Sequence, residues 1–445
     1  MGVYHEIDRR FAVEARGSNL RTELIGGATT YMTLAYIVFV QPVVLSAAGM
    51  DFGAVLMATC LGSAVACFLM AFLANYPIAL APGMGQNFYF ALTVVVGMGV
   101  AWQTALAAVF VAGVLFVVLS LAGIRRQVID SLPSSLMNAI GCGIGLMISL
   151  VGLEWSGIIV AKPGTYVGLG SLSSPPVLLA LFGLAVTSAL LVRRVPGAIL
   201  MGILATTIVG LLAGLIHCEG VASAPPSIEP TLLKLDLRGL WSLDMLSVVA
   251  VFLFLDVFDT IGTLVGVAPE AGLIKDGKID ISTNALLADA GGTVVGALLG
   301  TSTITSYVES AAGIQSGART GIAAVVTGLL LLITPFFSPL VTMVGGGIAV
   351  SETLKLYPVT APALIIVGVM MMKPSVKINW SDPSEAIPAF LTIVMMPLTV
   401  SITDGIAFGL ISYSALSVVG GTAGKVPWPL HLCAILLGLR YVFAG

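Results

Sequence analysis

Charge is what this chain has least of. Only 9% of its 445 residues are Asp, Glu, Lys or Arg, against about a quarter in soluble domains, while 58% are hydrophobic and the mean hydropathy is +1.07. That shortage excludes a soluble globular enzyme, and it excludes a nucleic-acid binder, which needs a dense basic surface for phosphates. It leaves a polytopic protein in contact with the lipid bilayer. Histidine is scarce too: His5, His217 and His431 lie near predicted segment ends and form no i, i+4 pair for a metal. The five cysteines, Cys60, Cys67, Cys142, Cys218 and Cys433, have no paired spacing, so neither a zinc site nor a disulfide framework is expected. No G-x-x-x-x-G-K-[ST] is present, which argues against ATP use. The opening MGVYHEIDRRFAVEARGSNLRTEL is charged and amphipathic rather than an apolar stretch with a cleavage site, so no removable signal peptide is expected.

What is present is a long series of apolar stretches. Fourteen can cross about 30 Å of hydrocarbon, some of them short enough to be broken or tilted. They fall at 26–46, 52–73, 78–96, 102–121, 135–153, 177–192, 196–216, 244–267, 283–299, 302–316, 320–340, 358–373, 384–400 and 404–420, and are numbered segments 1 to 14. The few cations test this count. With the N-terminus in the cytoplasm, fifteen of the nineteen Lys and Arg fall on the inner side, Arg9, Arg10, Arg125, Arg126, Arg193 and Arg194 among them. Lys162, Lys234, Arg238 and Lys355 alone fall outside. One span more or fewer inverts every later loop and spoils the bias, so an even count with both termini cytoplasmic is expected, as in a bacterial inner membrane. The last apolar stretch holds Pro427, Pro429, His431 and Arg440 and is read as an interfacial helix.

Against that background Asp256 and Asp259, in FLFLDVFDTIGTL of segment 8, are the costliest residues in the chain. A carboxylate at a helix centre costs roughly 2.5 to 3.5 kcal/mol on insertion scales, so two in one segment ask for a function. Three apart, they share a helix face that Thr260 and Thr263 continue. The plainer alternative is a pair hydrogen-bonded to a neighbouring span. No Lys or Arg lies deep in any segment to neutralise them, and a carboxyl in that setting can carry a proton. Glu154, Asp51, Asp404, Glu352, Glu219, Glu229 and Asp236 fall at segment ends or outer loops, where solvation suffices.

The halves start near residues 26 and 244, and an odd seven segments in each makes the second an inverted repeat of the first. The third segment of each half is interrupted. Segment 3 reads NYPIALAPGMGQNFYF, with Pro77, Pro82, Gly83 and Gly85 before Gln86. Segment 10 reads GTSTITSYVESAAGIQSG, in which Thr301, Thr303 and Thr305 alternate as in a strand before a helix expected near Ser306. Paired interruptions at matching places mark a transporter's substrate site. The two extended pieces are expected to pair as a short antiparallel ribbon, since free backbone groups at membrane depth need partners. Each then gives way to a half-helix whose N-terminus suits an electron-rich ligand. Ordinary kinks for packing are the alternative. Ser306 and Glu309 match the S-x-x-E capping box, a role that competes with substrate contact for Glu309. Asn87 offers both donor and acceptor, either for a ligand or for the broken backbone. Phe88, Tyr89 and Phe258 can stack on a planar ligand or simply pack.

APGMGQNFYF, FLFLDVFDTIGTLVGVA and LLGTSTITSYVESAAGIQSGARTG together resemble the characteristic stretches of the guanine/hypoxanthine permeases, the azaguanine-type branch of the nucleobase-cation symporter 2 family, over residues 18–420. The resemblance implies an all-α fold of fourteen segments in two inverted repeats, often dimeric. It implies a core domain of segments 1–4 and 8–11, residues 1–122 and 241–345, and a gate domain of segments 5–7 and 12–14, residues 123–240 and 346–445. It also implies import of purine bases with protons, with Asn87, Asp256 and Glu309 at the substrate and Asp259 as a supporting acid. Phe88, Thr260 and Ser306 lie beside them. Gln86 and Phe88 stand where the branch more often has Leu and Ala, which leaves the choice among adenine, guanine and hypoxanthine open. The expected mechanism is proton symport by alternating access, the proton carried by Asp256, Asp259 or Glu309, with no other cofactor. The same fold carrying uracil, xanthine or a small anion is the sibling alternative. An intramembrane aspartyl protease needs acids on two facing helices and a G-x-G-D setting, which are lacking, and an aqueous channel needs polar stripes on more segments.

Overall fold

The computed structural model describes residues 2–122, 133–162, 164–217, 220–267, 271, 274–275, 278–279, 282–350 and 355–443. Arg125, Arg126, Cys218, Glu219 and Glu352 lie outside the described residues. Each expected segment contains helix, segments 3 and 10 only in their second parts. Segment 1 is Leu20–Leu34 followed by Tyr36–Ala47, segment 2 is Phe52–Leu69 with a wider π-helical turn Met70–Ala74, and segment 4 is Trp102–Ala122. Segments 5 to 9 are Ser134–Trp155, Pro175–Val192, Ala198–Leu212, Leu243–Val267 and Thr283–Leu299. Segment 11 runs from Gly321 to Gly345 with a tighter turn at Thr334–Phe337, and segments 12 to 14 are Ala361–Met371, Pro383–Thr399 and Ile402–Val419. Among the described residues, eight helices are long and apolar enough to cross a membrane unaided. The remaining segments are short or broken.

Segments 3 and 10 carry the predicted ribbon. Leu80–Pro82 pairs antiparallel with Ile304–Ser306, with Leu80 opposite Ser306, Ala81 opposite Thr305 and Pro82 opposite Ile304. Short helices follow at Met84–Phe88, continued by a π-helix Tyr89–Gly97, and at Ser310–Gln315. The expected strand began at Thr301 and the expected helix near Ser306; both start later, because Ser306 still pairs with Leu80 and Tyr307 N–H donates to Ala79 O at 3.0 Å. Three further hairpins, at Ile159–Lys162 with Tyr166–Leu169, Ile274–Lys275 with Lys278–Ile279, and Ile348–Ala349 with Lys355–Leu356, were not anticipated.

The chain packs into two compact units, residues 1–122 with 173–360, and residues 123–172 with 361–445. Segments 6 and 7 fall in the first. That unit closes around the ribbon: Ile304 and Leu80 join a buried cluster with Ala66 and Met70 of segment 2, Val257 and Leu264 of segment 8 and Leu286 of segment 9. Ile304 fits because Gly62 and Gly296 carry no side chain; a Cβ at either would lie 2.9 or 2.8 Å from its Cδ1. At one end of the unit, buried Glu23 accepts from Arg319 N–H at 2.8 Å and Thr320 N–H at 3.3 Å, and Asn75 Oδ1 accepts from Gly321 N–H at 2.8 Å. These caps satisfy the first backbone donors of segment 11 and hold the turn after the segment 10 half-helix. In the second unit, the helix Trp428–Phe443 was expected in the interface plane. It instead returns antiparallel along segment 14, with His431 Nδ1 2.7 Å from Ser414 Oγ and Tyr441 bonded to Asp404 ten residues further on.

The segment 10 half-helix presses on segment 1 at Gly313, where a Cβ would meet Gly26 O at 2.4 Å and Thr30 Oγ1 at 2.1 Å. Gly313→Ala is therefore expected to destabilise the protein by about 2 kcal/mol or more. Gly141→Ala, which meets open space, is expected to be neutral or slightly stabilising. Melting in detergent, followed by size exclusion, measures both; equal melting points would contradict the packing described.

Candidate functional site

The ribbon has one side chain from each neighbouring segment turned onto it. From segment 9, Thr293 Oγ1 lies 2.9 Å from Ile304 O and 3.0 Å from Asp256 Oδ2. A hydroxyl has one hydrogen, so it cannot serve both acceptors fully; a proton on Asp256 completes the chain, passing from Asp256 to Thr293 to Ile304 O. Asp256 is fully buried and its Oδ1 has no partner.

Asp289, also on segment 9, was not among the predicted residues. It is fully buried and accepts from Thr260 Oγ1 at 2.6 Å, Ser306 N–H at 2.8 Å and Ser306 Oγ at 2.8 Å. Three donors and no competing acceptor suit a carboxylate. The hydroxyls of Thr260 and Ser306, expected to face substrate, are thus turned to Asp289, and Thr260 also meets Thr305 Oγ1 at 3.0 Å. The predicted capping box does not form. Ser306 sits in the strand bound to Asp289, while Glu309 reaches away and accepts from Tyr36 O–H of segment 1 at 2.7 Å. The S-x-x-E pattern was local, and the partners that override it come from segments 9 and 1. The signal for Asp289 was available: an acid in the middle of an otherwise apolar segment, as at Asp256.

Asp259 accepts from Gln86 Nε2 at 3.3 Å, which ties segment 8 to the segment 3 half-helix. Asp259 and Glu309 keep some accessible surface, whereas Asp256, Asp289 and Asn87 have none. Asn87 Oδ1 accepts from Ser302 Oγ, and its Nδ2 is unpaired; Gln86 Oε1 and Thr303 Oγ1 are likewise buried without partners. Phe88 is fully buried, Tyr89 packs edge-on to Phe252 at 4.9 Å, and Phe258 packs on Phe254 at 4.4 Å. The structure thus brings Asn87, Asp256, Asp259, Thr260, Ser306 and Glu309 into one unit around the ribbon, adding Gln86, Asp289 and Thr293. Asp51, read as a segment-end acid, caps segment 2 through Ala54 N–H at 2.7 Å. Cys60, Cys67 and Cys142 are free and buried.

Unpaired polar atoms at such depth are expensive, and an arrangement with a free donor on Asn87 and a free acceptor on Asp256 suits a small ligand that carries both functions. Among the described residues the donors to all four acids are hydroxyls, amides and backbone N–H groups, with no bonded cation to offset a charge on them.

The family model described as Permease family, of the xanthine/uracil type, matches residues 21–408. The chain is 46% identical to the guanine/hypoxanthine permease PbuG of Bacillus subtilis, over 97% of this chain and 99% of that one. It is 41% identical to the adenine permease AdeP of Escherichia coli, over 98% and 96%. A putative permease of Methanocaldococcus jannaschii is 47% identical over 98% of both chains. Among solved structures, the transmembrane domain of the cyanobacterial bicarbonate transporter BicA aligns with a TM-score of 0.64 at 18% identity, covering 88% of this chain and 97% of that one, which shows a shared fold.

Asp289→Ala strips an acceptor from three buried donors and is expected to lower the melting temperature in detergent by several degrees, each orphaned donor costing about 1 to 3 kcal/mol. Asp256→Asn, whose NH2 can donate to Thr293 as the protonated carboxyl does, is expected to melt within about a degree of the wild type. The reverse order in a thermal-shift assay would contradict the support role assigned to Asp289.

Proposed function

The chain belongs to the nucleobase-cation symporter 2 family of permeases, and from that premise we propose that it is a secondary active transporter importing purine nucleobases, such as hypoxanthine, guanine or adenine, with protons. The observation that carries the proposal is the pair of unpaired polar atoms beside the crossing ribbon, Asn87 Nδ2 and Asp256 Oδ1. A purine presents adjacent N–H donors and lone-pair acceptors along one edge, the two functions that this pair of atoms lacks partners for. The names of the relatives, purine permeases along their whole length, support the same cargo.

Asn87 and Asp256 are the proposed substrate contacts, with Glu309 closing the site from segment 10. Asp256 is the proposed proton carrier, because the Asp256–Thr293–Ile304 chain is complete only with a proton on Asp256. Asp259 and Glu309, which are less buried than Asp256, are the proposed groups that exchange protons with the aqueous side. Loading of proton and base then permits the proposed core, residues 1–122 and 241–345, to move against the proposed gate, residues 123–240 and 346–445, giving alternating access. Segments 6 and 7 are packed with the first unit in this conformation. The charge bias, fourteen to five once Arg440 follows the returning last helix to the outer side, supports the N-terminus and the end of segment 14 on the cytoplasmic side of a bacterial plasma membrane. A homodimer belongs to the same proposal.

Labelled hypoxanthine should accumulate in cells that lack their own purine permeases and express this chain, and faster at acidic than at alkaline external pH. Uptake no greater than with the empty vector, alongside clear uptake of uracil or bicarbonate, would overturn the cargo assignment. Asp256→Asn should abolish accumulation driven by an inward proton gradient; concentrative uptake at the wild-type level by this variant would remove Asp256 from the carrier role.

A further inference from the structure

We propose that Ser302, itself held by Gln41, is a positioning residue that fixes the amide of Asn87 with its NH2 toward the substrate, so that the atom of the base read by Asn87 is a hydrogen-bond acceptor. The inference rests on the reading of Asn87 as a substrate contact and specifies what that contact recognises.

Gln41 of segment 1, Ser302 before the segment 10 strand and Asn87 of the segment 3 half-helix are each fully buried. Gln41 Nε2 lies 3.1 Å from Thr301 Oγ1 and 3.1 Å from Ser302 Oγ, so its two hydrogens have two acceptors. Ser302 Oγ, having accepted from Gln41, spends its one hydrogen on Asn87 Oδ1. The acceptor end of Asn87 is thereby committed to the protein. Its donor end is the one left unpaired. Backbone contact fixes the same place from below, since Asn87 N–H donates to Gly83 O at 2.9 Å and Gly83 N–H donates to Thr303 O at 3.0 Å.

The relay has a second self-consistent direction. Asn87 would then donate to Ser302, Ser302 would donate to a rotated Gln41, and Asn87 would offer the substrate a carbonyl instead of an NH2. The two directions recognise opposite atoms. With the observed direction, the matching atom on the base is a carbonyl oxygen or an unprotonated ring nitrogen, and a C–H at that position leaves the buried NH2 of Asn87 unpaired. A site built to hydrogen-bond a substrate rejects the analogue that lacks the matching group far more strongly than an apolar pocket rejects a change of size. Selectivity at this atom therefore depends on two residues that need not touch the base.

The test is competition for labelled hypoxanthine by analogues that each lack one acceptor: deaza bases with a ring nitrogen replaced by C–H, and purine without the 6-oxygen. In the wild type one analogue should compete about tenfold less well than its parent. Ser302→Ala frees the Asn87 amide to turn, and should shrink that one penalty to about two- or threefold while the penalties for the other analogues stay as they were. Ser302→Thr keeps the hydroxyl and should keep the penalty. Gln41→Glu can only accept from Ser302, so it drives the relay backward and should remove the penalty as fully as Ser302→Ala does. A role in packing alone would weaken all analogues alike. Where a variant no longer transports, binding to the purified protein by competitive thermal shift gives the same ratios. An unchanged penalty in both Ser302→Ala and Gln41→Glu overturns the proposal, and so does its loss in Ser302→Thr, because the hydroxyl would then not be what matters. Wild-type protein that recognises no purine is a distinct result, and defeats the cargo assignment on which the inference stands.

Discussion

A polypeptide in hydrocarbon must pair its backbone N–H and C=O groups, and the two places where this chain stops being helical at membrane depth are where that demand is sharpest. The ribbon of Leu80–Pro82 with Ile304–Ser306 answers it, and the site is arranged around the answer. Thr293 serves Ile304 O and Asp289 serves Ser306 N–H. Both sit on segment 9, a plain helix whose small residues let it approach the ribbon closely, as the contact of Gly296 with Ile304 shows. The polar groups that support the broken backbone are therefore neighbours of those available to a ligand. A single hydroxyl, that of Thr293, belongs to both sets.

Much of this was legible in the sequence, and the physical reason is that lipid simplifies the code. Long apolar stretches, rare charges and the asymmetry of Lys and Arg gave fourteen segments, twelve of which are helix and two of which are strand followed by helix. Pairing of the interrupted pieces followed from the need to satisfy backbone groups, and the pairing is present. The register was not legible. It depends on which residue of each strand meets Thr293, Asp289 and Tyr307, and those contacts join residues far apart in the chain. The same limit explains Ser306 and Glu309. As a local pattern they read as a helix cap, but Ser306 finds Asp289 seventeen residues back and Glu309 finds Tyr36 on the first segment. The return of the last helix along segment 14 depends on side chains such as Tyr441 and His431 finding partners, which hydropathy does not encode.

Burial alone does not separate a functional acid from a structural one here. Glu23 and Asp289 are as buried as Asp256, yet each oxygen of Glu23 receives a backbone N–H from the start of segment 11, and Asp289 receives three donors. Those acids hold the chain in place. Asp256 has one shared hydroxyl and an oxygen with nothing bound to it. Counting donors per carboxylate oxygen thus sorts the acids in a way that neither hydropathy nor depth can, since an acid with a donor on each oxygen has less to offer a ligand than one with a bare oxygen.

The same count bears on how a proton and a base become coupled. Of the four acids near the ribbon, Asp259 and Glu309 keep some accessible surface and each has a single donor from a distant segment, Gln86 and Tyr36. Asp256 lies behind them, closed off and incompletely bonded. In the proposed mechanism the more accessible acids pass a proton on to Asp256, and a base held by Asn87 also engages the free oxygen of Asp256. If that carboxyl holds its proton on Oδ2 toward Thr293, Oδ1 remains a carbonyl-like acceptor for an N–H of the base; if the proton is absent, a full charge is buried with one shared hydroxyl to offset it, which is costly in a site without a cation. On the proposed assignment, proton and substrate favour each other's presence through one carboxyl group. Such mutual stabilisation is the thermodynamic requirement for symport, because each ligand must raise the affinity for the other by the same factor.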